Sequence, residues 1–378
     1  MKVALLCQSP RSLVLFALFW GFILTTSPLT AASVAQITEL SGQVTVIRNC
    51  NPLPENLQPG TGLEDFDLVR TGPQSHVSLI FPSTGGFTGT LQIGPNSVLW
   101  WQLSPQWDQK ARIYLITGSL QVHSESSQPS SVLDVQTARL LLKSTQAKFW
   151  LATAGDENLL AVSLDGLITG TYRDLTLFSQ PGSGLELQGR SFQTISVDPS
   201  TLKDYLKTWQ QDRDQQAQKQ SASSFPELAR QYLLELGQLT RAEDRLSREG
   251  SVILNLWKSQ EVSGTISTLE AAEHEKSLVV GPLLQVQSPL LSTLSLNQSL
   301  NLAWQANQKG NLPDNTEVSA GYTAQDFFQR WKQDQPLLNR WIEEFCWDNK
   351  LFAERNQGKG LPQESKSAES INETDFFN

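Results

Sequence analysis

The acidic residues that follow Gly62 are the first candidates for chemistry. Glu64, Asp65 and Asp67 lie within four positions of one another. Two carboxylates on one face could act as general acid and base on a glycosidic bond, and a group of carboxylates could bind Ca²⁺, although this spacing matches no known calcium loop. Turn chemistry is the simpler interpretation, because Asp side chains accept hydrogen bonds from nearby backbone N–H groups. We therefore assign no catalytic or metal-binding residue here.

The remaining catalytic residue types are sparse. The chain has three histidines, His76, His123 and His274, and no two of them have metal-ligand spacing. His76 and His123 lie in β-type runs, where alternation favours a surface or core position. The sequence contains no Cys-x-x-Cys, no Gly-x-Ser-x-Gly, no P-loop and no Gly-x-Gly-x-x-Gly motif. These observations predict a protein that is not an enzyme and carries no cofactor and no metal.

Tryptophans are the other candidates for a binding role. Trp100 and Trp101 are adjacent, so in a strand their side chains point to opposite faces. We expect one of them to fill the core and the other to be exposed, with Trp107 nearby. An exposed indole could stack on a sugar ring or anchor a protein partner. The alternative is that these tryptophans only fill the core.

Composition restricts the class of partner. The 378 residues are 39% hydrophobic and 18% charged, with a formal net charge of -9. Nucleic-acid binding needs a basic face, and no cluster of Lys and Arg is present, so we expect no nucleic-acid partner. Cys50 and Cys346 are either a disulfide pair or two buried thiols, and only geometry can decide between these.

The first 35 residues have the pattern of a secretory signal peptide. Lys2 and Arg11 precede the uncharged apolar run from Leu13 to Leu24. Small residues follow, so we expect cleavage after Ala32 or Ala35 and a periplasmic or extracellular location. An uncleaved apolar segment that holds the protein at the membrane is the alternative.

The element pattern divides the rest of the chain into β, helical and mixed regions. Residues 36–197 alternate apolar and polar positions in many short runs between Gly and Pro turns, which predicts a β-sandwich or roll. Residues 198–250 have helical periodicity, and Ser224-Phe225-Pro226-Glu227 predicts a helix start after a short linker. For residues 251–355 we expect a small mixed α/β region that ends in aromatic-rich helices, the last of which opens at Thr323. Residues 356–378 are polar, and we expect them to be disordered.

Within the mixed region, four short apolar runs are predicted to be strands. They are 252–257, 278–280, 283–286 and 300–304.

The β region resembles the FecR family of periplasmic domains over residues 36–197. The resemblance is carried by Gly42-Gln43-Val44-Thr45-Val46, by Asp67-Leu68-Val69-Arg70-Thr71-Gly72, and by the alternating strand from Ser75 to Phe81. It implies an antiparallel extracytoplasmic β domain in which Asp67, Thr71 and Gly72 define a turn, and it implies no catalytic residues. Sigma regulators of this type carry a cytoplasmic segment before a membrane helix. Here residues 1–12 precede the apolar run, so we expect that the anti-sigma segment is lacking.

The sequence thus predicts a non-enzymatic envelope protein that acts as a protein-interaction or scaffold module, or as a signalling accessory. Its expected partner is an envelope protein. A glycan or peptidoglycan binding module that uses an exposed tryptophan is the second hypothesis. An envelope hydrolase is the third and weakest.

Overall fold

The computed structural model describes residues 33–361, except 55, 83–86, 104–109, 126–131, 156–157, 199, 265–268 and 358. The predicted signal peptide up to Ala32, Trp107 and residues 362–378 lie outside the described residues.

The region from 35 to 196 is β-structure, as the sequence predicts. Its strands are β1 (Ala35–Ser41), β2 (Val44–Arg48), β3 (Asn51–Pro52), β4 (Gly62–Leu63), β5 (Leu68–Thr71), β6 (His76–Phe81), β7 (Gly89–Ile93), β8 (Val98–Leu103), β9 (Lys110–Thr117), β10 (Ser119–Ser124), β11 (Val132–Gln136), β12 (Leu141–Ala154), β13 (Asn158–Tyr172), β14 (Leu175–Ser179), β15 (Ser183–Gln188) and β16 (Ser191–Ser196).

These strands form one large curled sheet. Its main path runs β3-β2-β5-β8-β9-β11-β12-β10-β7-β6-β1-β4, and β13 to β16 extend from β12. The described pairs are antiparallel except β9 with β11, which is parallel. The predicted antiparallel arrangement therefore holds for the described pairs apart from this one. A parallel pair needs a longer connection than a hairpin, and β10 lies between β9 and β11 in the chain.

The inner face of the curled sheet closes on itself. In β6, Val77, Leu79 and Phe81 point inward and are at most 1% exposed, whereas Ile80 points outward and is 41% exposed. This alternation places every second side chain in the inner core. At the turn after β1, Gly42 has φ 75°, and a Cβ there would collide with Ser75 Oγ. Only glycine fits this turn without strain.

In the described part of the chain after the sheet, three long helices, one shorter helix and a small hairpin follow. They are α1 (Leu202–Glu249), α2 (Ser251–Ser263), α3 (Leu269–Gln308), the hairpin of β17 (Glu317–Ser319) and β18 (Tyr322–Thr323), and α4 (Ala324–Arg355).

Helix α1 is continuous, which corrects the predicted linker and new helix start at Ser224. Pro226 lies inside the helix. Proline removes one backbone hydrogen bond from a helix interior. Burial of neighbouring side chains offsets this loss, because Phe225, Ala229 and Tyr232 are each 0% exposed. Packing of this face keeps the helix continuous through the proline.

The four strands predicted between 252 and 304 are helical instead. Leu254 and Trp257 are the buried residues of α2, and the buried side chains of α3 include Val279, Leu283 and Val286 at helical spacing. Short apolar runs fit a strand and a buried helix equally well by periodicity alone. The β part of the mixed region is the small hairpin, and the predicted helix opening at Thr323 is confirmed by a capping box with Asp326.

Helix α3 is long and apolar enough, over Ala271–Gln308, to cross a membrane by length and composition alone. Half of its apolar window is buried within the protein. Its buried side chains pack with those of α1 and α4. That burial is typical of a core helix, which passes the same length test.

The helices cover the outer face of the sheet. Trp100 and Tyr114 project from β8 and β9 into a second core, where they meet Phe345 of α4. The chain after α4 continues this packing, because Leu361 is buried and its carbonyl accepts a hydrogen bond from Arg112 Nη1 at 3.0 Å. The described residues of the predicted disordered tail, up to Leu361, are therefore packed at their end against the sheet.

Candidate functional site

A cleft of about 680 Å³ opens where the outer face of the sheet meets the helices. Its volume is in the range of ordinary ligand sites. Strands and turns contribute Arg70, Pro73, Asn96, Val98, Ile116 and Thr117; helices contribute Asp214, Leu294, Asn297, Gln298, Asn301, Leu302, Gln305, Trp331, Gln335, Asn339 and Ile342. Side-chain amides are the commonest polar group in this set.

Three amide residues of the cleft follow one face of α3. Asn297, Asn301 and Gln305 are spaced four residues apart, so they lie one above another along the helix. The side chains of Asn301 and Gln305 are exposed and have no hydrogen-bond partner among the described residues. They are available to a ligand.

Helix α4 supplies a second row. Gln335 and Asn339 are also four residues apart, and Asn339 is exposed without a described partner. The two rows meet at one point, where Asn297 Nδ2 donates to Gln335 Oε1 at 3.1 Å. Trp331 Nε1 donates to Asn297 Oδ1 at 2.9 Å, which fixes that end of the cleft.

Two ionisable side chains line the cleft. Arg70 Nη1 donates to Glu343 Oε1 at 2.9 Å, and Arg70 Nη2 is buried with no partner in the described part of the chain. Burial raises the pKa of Asp214 above its usual value, with no described partner to offset it. Asp214 is the one carboxylate among the described lining residues.

The acidic residues near Gly62 have structural roles. Arg48 donates to both carboxylate oxygens of Asp67, at 2.8 and 2.6 Å, and to Glu64 Oε1 at 2.7 Å. Asp67 Oδ2 also accepts from the backbone N–H of Glu64 at 2.8 Å. Asp65 Oδ1 accepts from the backbone N–H of Leu103 at 2.7 Å, and burial raises its pKa to about 7. The turn chemistry predicted for this segment is present.

The turn predicted at Asp67, Thr71 and Gly72 joins three parts of the sheet. Thr71 Oγ1 donates to the Gly94 carbonyl at 2.7 Å and accepts from the Ser97 N–H at 2.9 Å. The N–H of Gly72 donates to the Gln43 carbonyl at 2.8 Å. These bonds hold the end of β5 against the turn that connects β7 and β8.

The expectation that one of the paired tryptophans is exposed is not met. Trp100 and Trp101 point to opposite faces of β8, as predicted, and both are 0% exposed. The helices cover the face on which Trp100 lies, so neither ring is available for stacking on a sugar. Trp107 lies outside the described residues.

The histidines and cysteines are not brought together as a site. His76 is exposed and lies near Glu39, and His123 is partly exposed and lies near Glu125. Cys50 and Cys346 are free thiols, and burial raises the pKa of Cys50 to about 12. Among the described residues, no group of His, Cys, Asp and Glu has a geometry that could hold a metal ion.

The cleft is not predicted from the sequence. A signal was present, because Asn297, Asn301 and Gln305 repeat at four-residue spacing. The apolar run 300–304 is predicted to be a strand, and in a strand these three residues do not form a helical row.

No family model matches this chain, and no curated protein matches it. Two solved structures of a "putative anti-sigma factor" from Parabacteroides distasonis ATCC 8503 are similar to it, at 1.65 Å and 2.50 Å resolution. The identities are 12% and 11%, and both TM-scores are 0.33. The matches cover 37% of this chain and 64% and 63% of those chains.

The chain thus spans under two thirds of the length of those structures.

Proposed function

We propose that this protein is an extracytoplasmic, non-enzymatic interaction module that acts as a signalling accessory or scaffold by binding an envelope partner in the cleft between sheet and helices. The observation that carries the proposal is the set of exposed, uncommitted amides, Asn301, Gln305 and Asn339, on elements held by a continuous core. Rigid scaffolds with unpaired polar groups in a concave surface are typical of binding sites.

The polar chemistry of the cleft favours binding over catalysis. Amide side chains donate and accept hydrogen bonds but do not transfer protons near neutral pH. Of the two ionisable residues, Arg70 is engaged by Glu343, and Asp214 has no nucleophile or second acid beside it among the described lining residues. Glycoside hydrolysis, for example, uses two carboxyl groups that flank the scissile bond.

The position of the cleft supports the proposal of a regulatory role. Its lining comes from both the sheet and the helices. A partner that contacts both would stabilise their association by mass action. Binding would then be coupled to how firmly the helices dock on the sheet.

The experiment is site-specific photo-crosslinking in native envelope extract. A benzoyl-phenylalanine at position 339 lies at the cleft rim, and the matched control at position 231 lies on an exposed part of α1 that does not line the cleft. We expect a discrete envelope protein to be crosslinked from position 339 and not from position 231. Equal crosslinking from both positions, or none from either, would contradict the proposal.

The proposed compartment has its own test. We propose export and cleavage after Ala32 or Ala35, because the leader has the pattern of a signal peptide. N-terminal sequencing of the exported protein should give Ser33 or Gln36. Finding Met1 intact on membrane-bound protein would contradict cleavage.

A further inference from the structure

We propose that the cleft recognises an extended peptide segment of the partner through main-chain hydrogen bonds to its amide rows, an inference that rests on the proposed function. The rows are Asn297, Asn301 and Gln305 on α3, and Gln335 and Asn339 on α4.

The spacing of the rows fits an extended chain. Residues four apart on a helix are separated by about 6 Å along its axis. Peptide groups that point to the same side of an extended chain are separated by about 6.6 Å. Consecutive side-chain amides of a row can therefore reach alternate peptide groups of one strand with little adjustment.

The hydrogen-bonding capacity of the rows also fits. A peptide group presents one donor and one acceptor, and a carboxamide presents both in return. Asn301, Gln305 and Asn339 have no described partner, so they lose no internal hydrogen bond on binding. The hydrogen bond between Asn297 and Gln335 joins the two rows at one end.

The lining disfavours a glycan. Sugar rings are held by an exposed aromatic face as well as by hydrogen bonds. Trp331 is the one aromatic residue that lines the cleft in the described structure, it is 7% exposed, and its indole N–H already donates to Asn297. A ligand that needs no aromatic platform, such as a peptide main chain, suits this surface better.

The test uses the mature protein and a randomised pool of N-acetylated, C-amidated octapeptides. Immobilised wild-type protein should retain a subset of the pool. The double variant Asn301→Ala/Gln305→Ala should retain at least about tenfold less, because it loses two hydrogen bonds to the main chain. The matched control Gln231→Ala/Gln238→Ala removes two exposed amides of α1 outside the cleft and should retain the wild-type amount.

A second measurement identifies main-chain recognition. The most enriched peptide is resynthesised with N-methyl groups at odd or at even positions. Because alternate N–H groups of an extended chain point to opposite sides, one set should abolish retention and the other should leave most of it. Equal effects of both sets would contradict binding through one side of an extended main chain.

Other outcomes are equally decisive. No retention by the wild type, undiminished retention by the double variant, or retention only of glycan strands stripped of their peptide stems would overturn the peptide inference. If the double variant has a lower melting temperature than the wild type, the variant Asn339→Ala on α4 is used in its place. If position 339 still crosslinks a partner but no peptide is retained, the peptide inference is wrong and the proposed interaction function is kept. If position 339 no longer crosslinks a partner, both proposals are wrong.

Discussion

Two adjacent residues of β8 lie in two different cores. Trp101 points to the inner face, where its ring lies edge-on to Phe81 at 5.7 Å. Trp100 points to the outer face, where it stacks on Tyr114 at 4.6 Å and meets Phe345 of α4 edge-on at 6.3 Å. The inner core is closed by strands of the same sheet. The outer core exists because helices from the far end of the chain cover it.

The two cores differ in their borders. The outer junction carries charged contacts across elements, such as Arg70 with Glu343 at 2.9 Å and Lys350 with Glu261 at 2.9 Å. Lys350 also donates to Asn49 Oδ1 at 3.2 Å, which ties α4 to the end of β2. An apolar centre with a polar rim is the arrangement of a protein–protein interface. We infer that the helices can loosen from the sheet without unfolding its inner core.

The largest expected effect separates the two cores. Trp101→Ala and Trp100→Ala should each destabilise the protein by about 3–5 kcal/mol, because each leaves a cavity the size of an indole. Trp101→Ala should raise amide hydrogen exchange throughout the sheet. Trp100→Ala should raise it mainly in α4, with β6 and β7 still protected.

Hydrogen exchange with mass spectrometry checks this distribution, and urea unfolding checks the magnitude. Leu175→Ala is the control, because Leu175 is 47% exposed and should change stability by less than about 0.5 kcal/mol. Identical exchange patterns in the two tryptophan variants would show that sheet and helices unfold as one unit.

The next effect concerns the turn that both cores border. Asp67→Ala should cost about 2–3 kcal/mol, because Arg48 loses two of its charge-assisted hydrogen bonds and the Glu64 N–H loses its acceptor. Chemical denaturation measures the loss. Glu39→Gln removes an exposed contact with His76 and should change stability little. A loss at Asp67 no larger than at Glu39 would mean that the turn does not depend on this ion pair.

The smallest effect is a pH dependence. Burial raises the pKa of Asp65 to about 7 from 3.8. Between these values the folded protein holds a proton that the unfolded chain has released, so this residue's contribution to stability falls as pH rises from about 4 to 7. Asp65→Asn keeps an acceptor for the Leu103 N–H and removes the titration.

Thermal unfolding at several pH values tests this. The variant should match the wild type near pH 4 and exceed it at pH 8 by on the order of 1–2 kcal/mol, allowing for solvent screening of a partly exposed group. A wild-type stability that rises between pH 4 and 7 relative to the variant would contradict the assigned direction.

The sequence by itself determined the β region and its inner core. Period-two alternation, as in Val77, Leu79 and Phe81, needs no distant partner to decide which side is buried. The start of α4 at Thr323 is similarly local, because its capping box with Asp326 lies within three positions. The bonds at Thr71 and Gly72 are not local, since their partners Gly94, Ser97 and Gln43 lie more than about 20 positions away.

Only the tertiary structure decided the outer core and the cleft. Pro226 could begin a helix or lie within one, and the apolar run 283–286 could be strand or helix. Packing of α1, α3 and α4 on the sheet places Pro226 inside a helix and makes the run 283–286 helical. Trp100 is buried, and the two amide rows line one cleft, for the same reason. The free energy that fixes these features comes from contacts between elements far apart in the chain, which local periodicity does not contain.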